Sequence, residues 1–398
     1  MAAQARVVWD QSFTSYDFGR GHPMNPVRLD LTARLCRAFG LFDADDVAVV
    51  NPPPLSDAML RTVHDEGYVA AVRHASAHPR DADRSRGLGT EDDPAFPDMH
   101  RASAHVAAGS VDVAQAVWTG AAAHGVNFAG GLHHAMPGRA AGFCIYNDVA
   151  LAIRWLLDHG ARRVAYVDVD VHHGDGVEQI FWDDPRVLTI SLHESGRMLF
   201  PGTGFPGDIG GPGALGSAAN LAFPAGTGDA GWLRGFHALV LPLVTAFGPD
   251  VLVTQHGCDS HFLDPLAHLT LSLDAQRSSY ETLHDLAHQV CEGRWVALGG
   301  GGYELVDVVP RAWTHLTAIA AHRPIPVDAQ VPAQWREHVR AVYGTPGPAR
   351  MGDGVSEPGS LGYRPWSGGM DPDDAVDRAI MATRQAVFPS HGLDVWHD

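Results

Sequence analysis

Two rhythms of apolar and polar positions alternate along the chain. Short apolar runs rich in β-branched residues stand at Val7–Trp9, Val47–Val50, Val126–Ala129, Val164–Val169, Val187–Leu192, Asn220–Phe223, Val251–Gln255 and Trp295–Leu298. Each is too short for a stable helix and predicts a strand. Longer stretches with helical spacing lie at Pro26–Phe39, Glu66–Ala77, Arg101–Trp118, Ala150–His159, Gly231–Phe247, Ser278–Cys291, Leu305–Ala321, Ala333–Val342 and Asp373–Gln385. Pro26 suits a first-turn position, where a missing N–H costs nothing. Strands that read as continuous apolar runs are covered on both faces, so the pattern predicts an open, mostly parallel α/β sheet with helices on both sides. No repeat of fixed period is present. Residues Tyr343–Pro372 are rich in Gly and Pro and read as a loop before a terminal helix. The expected organisation is one domain over 1–325, with an extension over 326–398 packed on it.

Composition narrows the classes. The 398 residues carry 46 acidic and 28 basic side chains, a formal charge of −18, and every basic residue is Arg. An acidic chain without basic runs argues against nucleic acid and anionic membrane partners. Cys36, Cys144, Cys258 and Cys291 form no C-x-x-C pair, which suits reduced thiols. The N-terminus has no apolar signal core, and the apolar stretch around Ala238–Phe247 is too short to span a bilayer and contains Pro242. A cytoplasmic location is the expectation.

Four segments carry chemistry. In Val164-Ala-Tyr-Val-Asp-Val-Asp-Val-His-His-Gly-Asp-Gly176, an apolar strand runs into Asp168, Asp170 and His172. Alternate residues of an extended chain share a face, and strand C-terminal ends are where open α/β sheets bind ligands. Carboxylates with an imidazole suit a borderline divalent metal such as zinc or Fe(II). In Val251-Leu-Val-Thr-Gln-His-Gly-Cys-Asp259, a second strand ends near Asp259, which would complete a set of three ligands and leave a position open for water. Alone, Asp259 reads as a turn residue or helix cap. In Gly130-Gly-Leu-His-His-Ala-Met-Pro-Gly138, His133 and His134 sit in a Gly-rich loop. They could be ligands, a proton-transfer pair or satisfied buried histidines; with the ligand set filled, proton transfer is the better use. In Trp295-Val-Ala-Leu-Gly-Gly-Gly-Gly-Tyr303, the phosphate-loop context is missing, and the glycines deliver one phenol that can donate to a developing oxyanion.

Taken together, these segments resemble the zinc-dependent histone deacetylase family of the arginase–deacetylase fold. Gly-Leu-His-His, Gly-Phe-Cys-Ile-Tyr-Asn-Asp, Asp-Val-Asp-Val-His-His-Gly-Asp-Gly, Phe-Pro-Gly-Thr-Gly, Cys-Asp-Ser and Leu-Gly-Gly-Gly-Gly-Tyr occur in the family's order over roughly 1–325. The start, Tyr16-Asp-Phe-Gly-Arg-Gly-His-Pro-Met-Asn-Pro-Val-Arg-Leu29, is similar to the bacterial acetoin-utilisation (AcuC-type) deacetylases. The resemblance implies an eight-stranded parallel sheet and a metal held by Asp170, His172 and Asp259. It makes His134 the general base and acid, His133 its electrostatic partner, and Tyr303 the group that polarises the acyl oxygen. Asp168 and Asp175 would orient the two histidines. Phe143, Phe200 and Leu266 would wall an alkyl channel, the Gly142 carbonyl would accept from the substrate amide, and Arg28 would belong to an internal acetate pocket. Structural potassium near Asp168, Asp170, His172, Ser191 and Leu192 is implied by the resemblance alone.

The implied reaction is removal of acetyl or other acyl groups from protein lysine, with an acyl-CoA synthetase as one candidate partner. An acetylpolyamine amidohydrolase shares the chemistry. Within Glu91-Asp-Asp-Pro-Ala-Phe-Pro-Asp98, acidic groups, Asp98 among them, could sit at the channel rim and suit either substrate. No insertion that would narrow the entrance for polyamines is evident. A two-metal ureohydrolase of the same fold would need a D-A-H-x-D run, which is absent. An inactive acyl-lysine-binding module would have lost a ligand, the histidine pair or the tyrosine, and all six positions are present.

Overall fold

A computed structural model describes residues 3–354 and 361–398. In chain order the elements are β1 (Ala3–Val8), α1 (Val27–Ala38), β2 (Val47–Val50), α2 (Asp57–Leu60), α3 (Glu66–Ala77), α4 (Met99–Trp118), β3 (Ala122–Asn127) and α5 (Asp148–Asp158). They continue as β4 (Val164–Asp168), α6 (Asp175–Phe181), β5 (Val187–Glu194), β6 (Ala218–Phe223), α7 (Asp229–Phe247), β7 (Val251–Gln255), α8 (Leu273–Cys291), β8 (Trp295–Leu298), α9 (Val309–Ala320), α10 (Ala333–Tyr343) and α11 (Ala375–Val387). The eight strands form one sheet in the order β2-β1-β3-β8-β7-β4-β5-β6. Every neighbouring pair is parallel. β4, β5, β7 and β8 are buried at every position, so helices cover both faces where these strands lie.

Each expected strand exists, with the largest shifts at two. β1 begins at Ala3, before its apolar run, because Ala3 pairs with Ala122 and Ala5 with both Val47 and His124. Backbone pairing there overrides weak side-chain propensity. β3 runs earlier than expected and stops at Asn127, since Phe128 and Ala129 already turn into the glycine loop. α8 starts at Leu273 rather than Ser278 because Ser272 caps it, its hydroxyl accepting from the Ala275 N–H at 3.2 Å. α9 starts later than expected: Glu304 accepts the N–H groups of Val306, Asp307 and Val308, and this holds the preceding turns out of the helix.

Among the described residues, α7 is long and apolar enough to cross a bilayer by length and composition, which corrects the shorter span read from the sequence. Pro242 lies inside it without ending it. Leu239, Val240, Leu243 and Val244 are buried in the core. Part of the Gly/Pro-rich loop expected over Tyr343–Pro372, residues 355–360, lies outside the described residues.

The C-terminal segment packs on the β6 side. Thr383 donates to the Asn220 carbonyl of β6 at 2.6 Å. Buried Asp377 of α11 accepts two bonds from Arg234 of α7, at 2.5 and 2.9 Å, and one from Arg364 at 2.7 Å. On the other flank, Trp335 of α10 donates its indole N–H to the Leu31 carbonyl of α1 at 2.9 Å.

Candidate active site

The four chemical segments follow β3, β4, β7 and β8, four adjacent strands in the sheet order. Residues from widely separated parts of the chain therefore meet at one crevice, outside the strand C-termini.

Asp170, His172 and Asp259 converge, with one ligand atom from each within 4.8 Å of the others. His172 Nδ1 lies 3.1 Å from Asp170 Oδ1 and 3.2 Å from Asp259 Oδ2. These spacings match the edge, about 3.3 Å, of a tetrahedron built on zinc–ligand bonds of about 2.0–2.1 Å. Burial and the charge of Asp170 push the Asp259 carboxyl up to about 7. Two carboxylates crowded beside one imidazole, away from water, form a donor set that a divalent cation would neutralise. The cradle is tight, because a Cβ on Gly301 would collide with the carboxylate of Asp259. Gln255 Nε2 and the Gly301 N–H donate to Asp170 Oδ2 at 2.7 and 2.8 Å, and the Val171 N–H donates to Asp259 Oδ1 at 3.0 Å. These bonds fix the carboxylates in place.

β4 ends at Asp168, whose carboxylate turns toward the histidine pair. Asp168 Oδ2 accepts from His133 Nδ1 at 2.7 Å and from the Tyr166 hydroxyl at 2.6 Å. Asp175 Oδ1 accepts from His134 Nδ1 at 2.7 Å. The two Nε2 atoms face each other at 3.0 Å, so a single proton fits between them. Burial pulls His133 down, but Asp168 and Asp170 outweigh it and hold it up at about 9. For His134, burial and the neighbouring His133 charge win over Asp175 and bring it down to about 4. The environment thus separates a cationic His133 from a neutral His134, whose Nε2 can accept a proton.

Tyr303 stands at the end of the glycine loop after β8. Its N–H donates to Asp264 Oδ2 at 2.8 Å, while Asp264 Oδ1 accepts from the Leu266 N–H at 3.0 Å. One carboxylate thereby positions both residues. Burial, with Asp259 and Asp170 nearby, raises the Tyr303 phenol far above its ordinary value, so it keeps its proton for donation. Arg28 is buried beneath the loop and donates to the carbonyls of Gly300 and Gly302 at 2.9 and 3.1 Å. Its guanidinium also covers Trp313, 5.0 Å from the ring centroid. A small cavity bounded by Tyr16, Met24, Val106 and Ala129 lies beside it.

Phe143 and Phe200 meet the Tyr303 and His134 rings edge-on. Phe143 lies 5.7 Å from the Tyr303 ring and Phe200 5.0 Å from that of His134. Phe143 adopts φ +67°, a conformation that costs on the order of 1–3 kcal/mol in a non-glycine residue. Tyr16 compensates by bridging the turn, donating to the Phe143 carbonyl at 2.8 Å and accepting from the Ile145 N–H at 3.2 Å. Gly142 has no Cβ to strike the His134 ring, and its carbonyl accepts the Cys144 thiol at 3.2 Å. Leu266 is half-buried and Phe200 is 46% exposed, as channel-mouth residues would be. Ser191 and Leu192 lie on β5, and Ser191 pairs in register with Asp168.

Asp98 is the residue expected at the channel rim. It precedes α4 in a left-handed conformation and lines a different surface cavity with Ser12, Asn51, Arg101 and His105. In the same acidic segment, Asp92 Oδ2 accepts from the Gly142 N–H at 3.2 Å. The sequence named the acidic segment but could not tell which carboxylate the turn would present.

Sequence reasoning also missed the supports. Asn147 donates to the His133 and Ala135 carbonyls at 3.1 and 3.0 Å, which shapes the histidine loop. His64 accepts from the Asn147 N–H at Nε2, 3.0 Å, and faces the Met136 carbonyl with Nδ1 at 3.1 Å. This arrangement needs a neutral ring with its proton on Nδ1. Burial lowers His64 from 6.5 to about 4. Between these values the unfolded chain binds a proton that the folded chain does not. The stabilisation is therefore complete above pH 6.5 and declines as pH falls toward 4, by up to about 3 kcal/mol. Urea unfolding of wild type and His64→Gln across this range should show the variant's stability varying less with pH; parallel curves would contradict the assignment.

With this geometry established, comparison places the chain. A model of the histone deacetylase domain matches residues 22–320, and the chain belongs to that family. It is 40% identical over 330 residues to the acetoin utilization protein AcuC of Bacillus subtilis (strain 168), covering 82% of this chain and 84% of that protein. AcuC of Staphylococcus xylosus is 36% identical over 330 residues, with 82% and 85% covered. The fold is similar to the crystal structure of an HDAC homolog complexed with SAHA, at a TM-score of 0.80 and 25% identity, covering 96% of this chain and all of that one.

Proposed function

We propose that the protein hydrolyses acyl-lysine side chains of proteins, acetyl foremost, with zinc or Fe(II) held by Asp170, His172 and Asp259. The observation that carries this reading is the paired His133 and His134, each tied to its own carboxylate beside that donor triad. Bound there, a divalent cation supplies Lewis acidity toward the acyl oxygen and the attacking water. His134 Nε2 takes a proton from the attacking water. The Tyr303 hydroxyl donates to the oxyanion as the carbonyl carbon becomes tetrahedral. His134 then returns the proton to the amine nitrogen as the C–N bond breaks, giving carboxylate and free lysine. His133, held cationic by Asp168, stabilises negative charge in this region. Phe143, Phe200 and Leu266 exclude water around the alkyl stem.

Asp92 supports a lysine side chain within a peptide. An exposed carboxylate beside the channel loop can accept backbone N–H groups next to the acylated residue. The register of Asp168 with Ser191 supports potassium near Asp168, Asp170, His172, Ser191 and Leu192. Residues 326–398 are read as an extension of the same domain, supported by the Trp335 and Asp377 contacts. The acyl-CoA synthetase remains the partner suggested by the similarity to acetoin utilization proteins.

The test compares kcat/KM for an acetyl-lysine peptide with that for N-acetylputrescine. The peptide should be preferred and Asp92→Ala should narrow the preference; faster polyamine turnover would replace this substrate assignment. Tyr303→Phe should lower kcat about 100- to 1,000-fold with a smaller change in KM, the loss of one oxyanion donor.

A further inference from the structure

Four of the 24 histidines gather at the other end of the sheet, away from the candidate active site. His124 is the third residue of β3 and pairs with Trp295, the first of β8. The parallel strands carry His133, His134 and Tyr303 beyond their opposite ends. His284 and His288 stand one turn apart on α8, hence on one face. His322 follows α9 with φ +54°.

One nitrogen from each imidazole lies within 4.8 Å of the other three. His124 Nε2 is 2.8 Å from His322 Nε2, and His284 Nε2 is 3.2 Å from that same atom. His288 sets its ring edge-on to the other three, at centroid distances of 5.1, 4.7 and 5.5 Å. We propose that His124, His284, His288 and His322 form a second divalent-metal site, of the zinc class, that pins β3, α8 and the end of α9 together.

Three ring nitrogens that crowd one point cannot all be satisfied by one another, since each N···N contact accommodates one proton. A cation at that point satisfies every lone pair at once. The 2.8 and 3.2 Å separations approach the edge, about 3.3 Å, expected for zinc with nitrogen ligands. His284 faces Asp285 Oδ1 with its other nitrogen at 3.2 Å, which fixes the tautomer that leaves Nε2 free. Burial and mutual repulsion lower His124 to about 3, and His284 and His322 also fall. An all-imidazole set suits zinc, copper or nickel over magnesium or calcium. Four protein ligands leave no open position, so the role is structural.

The site would tie β3, α8 and the end of α9 together at the end of the sheet opposite to the one that delivers His134 and Tyr303. It lies apart from the proposed catalytic residues, and the two can be separated by mutation. The full chain is stripped with a chelator, titrated with zinc chloride, desalted and assayed for zinc by mass spectrometry. Wild type should hold two equivalents. His284→Gln/His288→Gln changes one half-buried and one exposed residue of α8 and should hold one, with acetyl-lysine turnover within about twofold of wild type. Asp170→Ala/His172→Ala should also hold one and lack turnover, and its thermal midpoint should still rise with zinc. That rise should vanish when His284→Gln/His288→Gln is added. Equal zinc content in wild type and His284→Gln/His288→Gln overturns the proposal. Loss of the only equivalent in that variant would instead support this site and refute the Asp170 centre.

Discussion

Asp170→Ala is expected to reduce deacylation at least about 1,000-fold, to the level of chelator-treated wild type. Removing the carboxylate takes away one of three converging donors. It also deprives Gln255 Nε2 and the Gly301 N–H of the oxygen they share. Lewis-acid stabilisation of the reacting oxygens is worth several kcal/mol, so its loss alone spans this range. Asp170→Asn keeps the shape and replaces the charged donor, and should fall almost as far. Zinc content and peptide turnover, measured on the same preparations, should decline together. Wild-type turnover after thorough chelation would end the metal-dependent reading, whereas turnover restored by added zinc or Fe(II) would identify the ion that serves.

His134→Ala is the second large effect, a fall in kcat of about 100- to 10,000-fold, the usual contribution of a positioned proton-transfer group. His133→Ala should cost less, because His133 contributes charge rather than accepting the proton. The carboxylates enforce this asymmetry: Asp168 and Asp170 hold His133 at about 9, while burial and His133 hold His134 at about 4. Acidification protonates His134 and removes the base, so wild-type activity should decline on the acid side. The residual activity of His134→Ala should lack that limb. Asp175→Asn should lower kcat less than His134→Ala, since it releases the ring's orientation and leaves the acceptor in place. Equal losses for His133→Ala and His134→Ala would contradict the division of roles.

Much of this was legible before the fold was known, for a physical reason. The donors and histidines cluster in short segments at strand ends, where a strand rhythm stops and polar residues begin. The strands themselves showed because both faces are buried. The supports were hidden because they act across long separations. Nothing in the spacing of Arg28 indicates that it grips the carbonyls of Gly300 and Gly302, or in that of His64 that it accepts from Asn147. Asp98 and Asp92 occupy one acidic segment, and only the path of the turn decides which reaches Gly142. The His124 cluster was illegible in the same way, with 198 positions between His124 and His322. The absence of Lys was legible from the start: these 398 residues offer no lysine side-chain amine for acylation.

The strand order also carries a message about synthesis. Of the eight strands among the described residues β8 is the last in chain order, yet it lies between β3 and β7 near the middle of the sheet. Until Leu298 has emerged, β1 to β3 and β4 to β7 can form only two partial sheets, each with an open, apolar edge waiting for the same four residues. Such a keystone makes completion of the fold a late, long-range event, slow relative to local helix formation and exposed to aggregation while it lasts. A released chain truncated before Trp295 should therefore be far more dependent on chaperones than one truncated after Tyr303, although the two differ in length by fewer than a dozen residues.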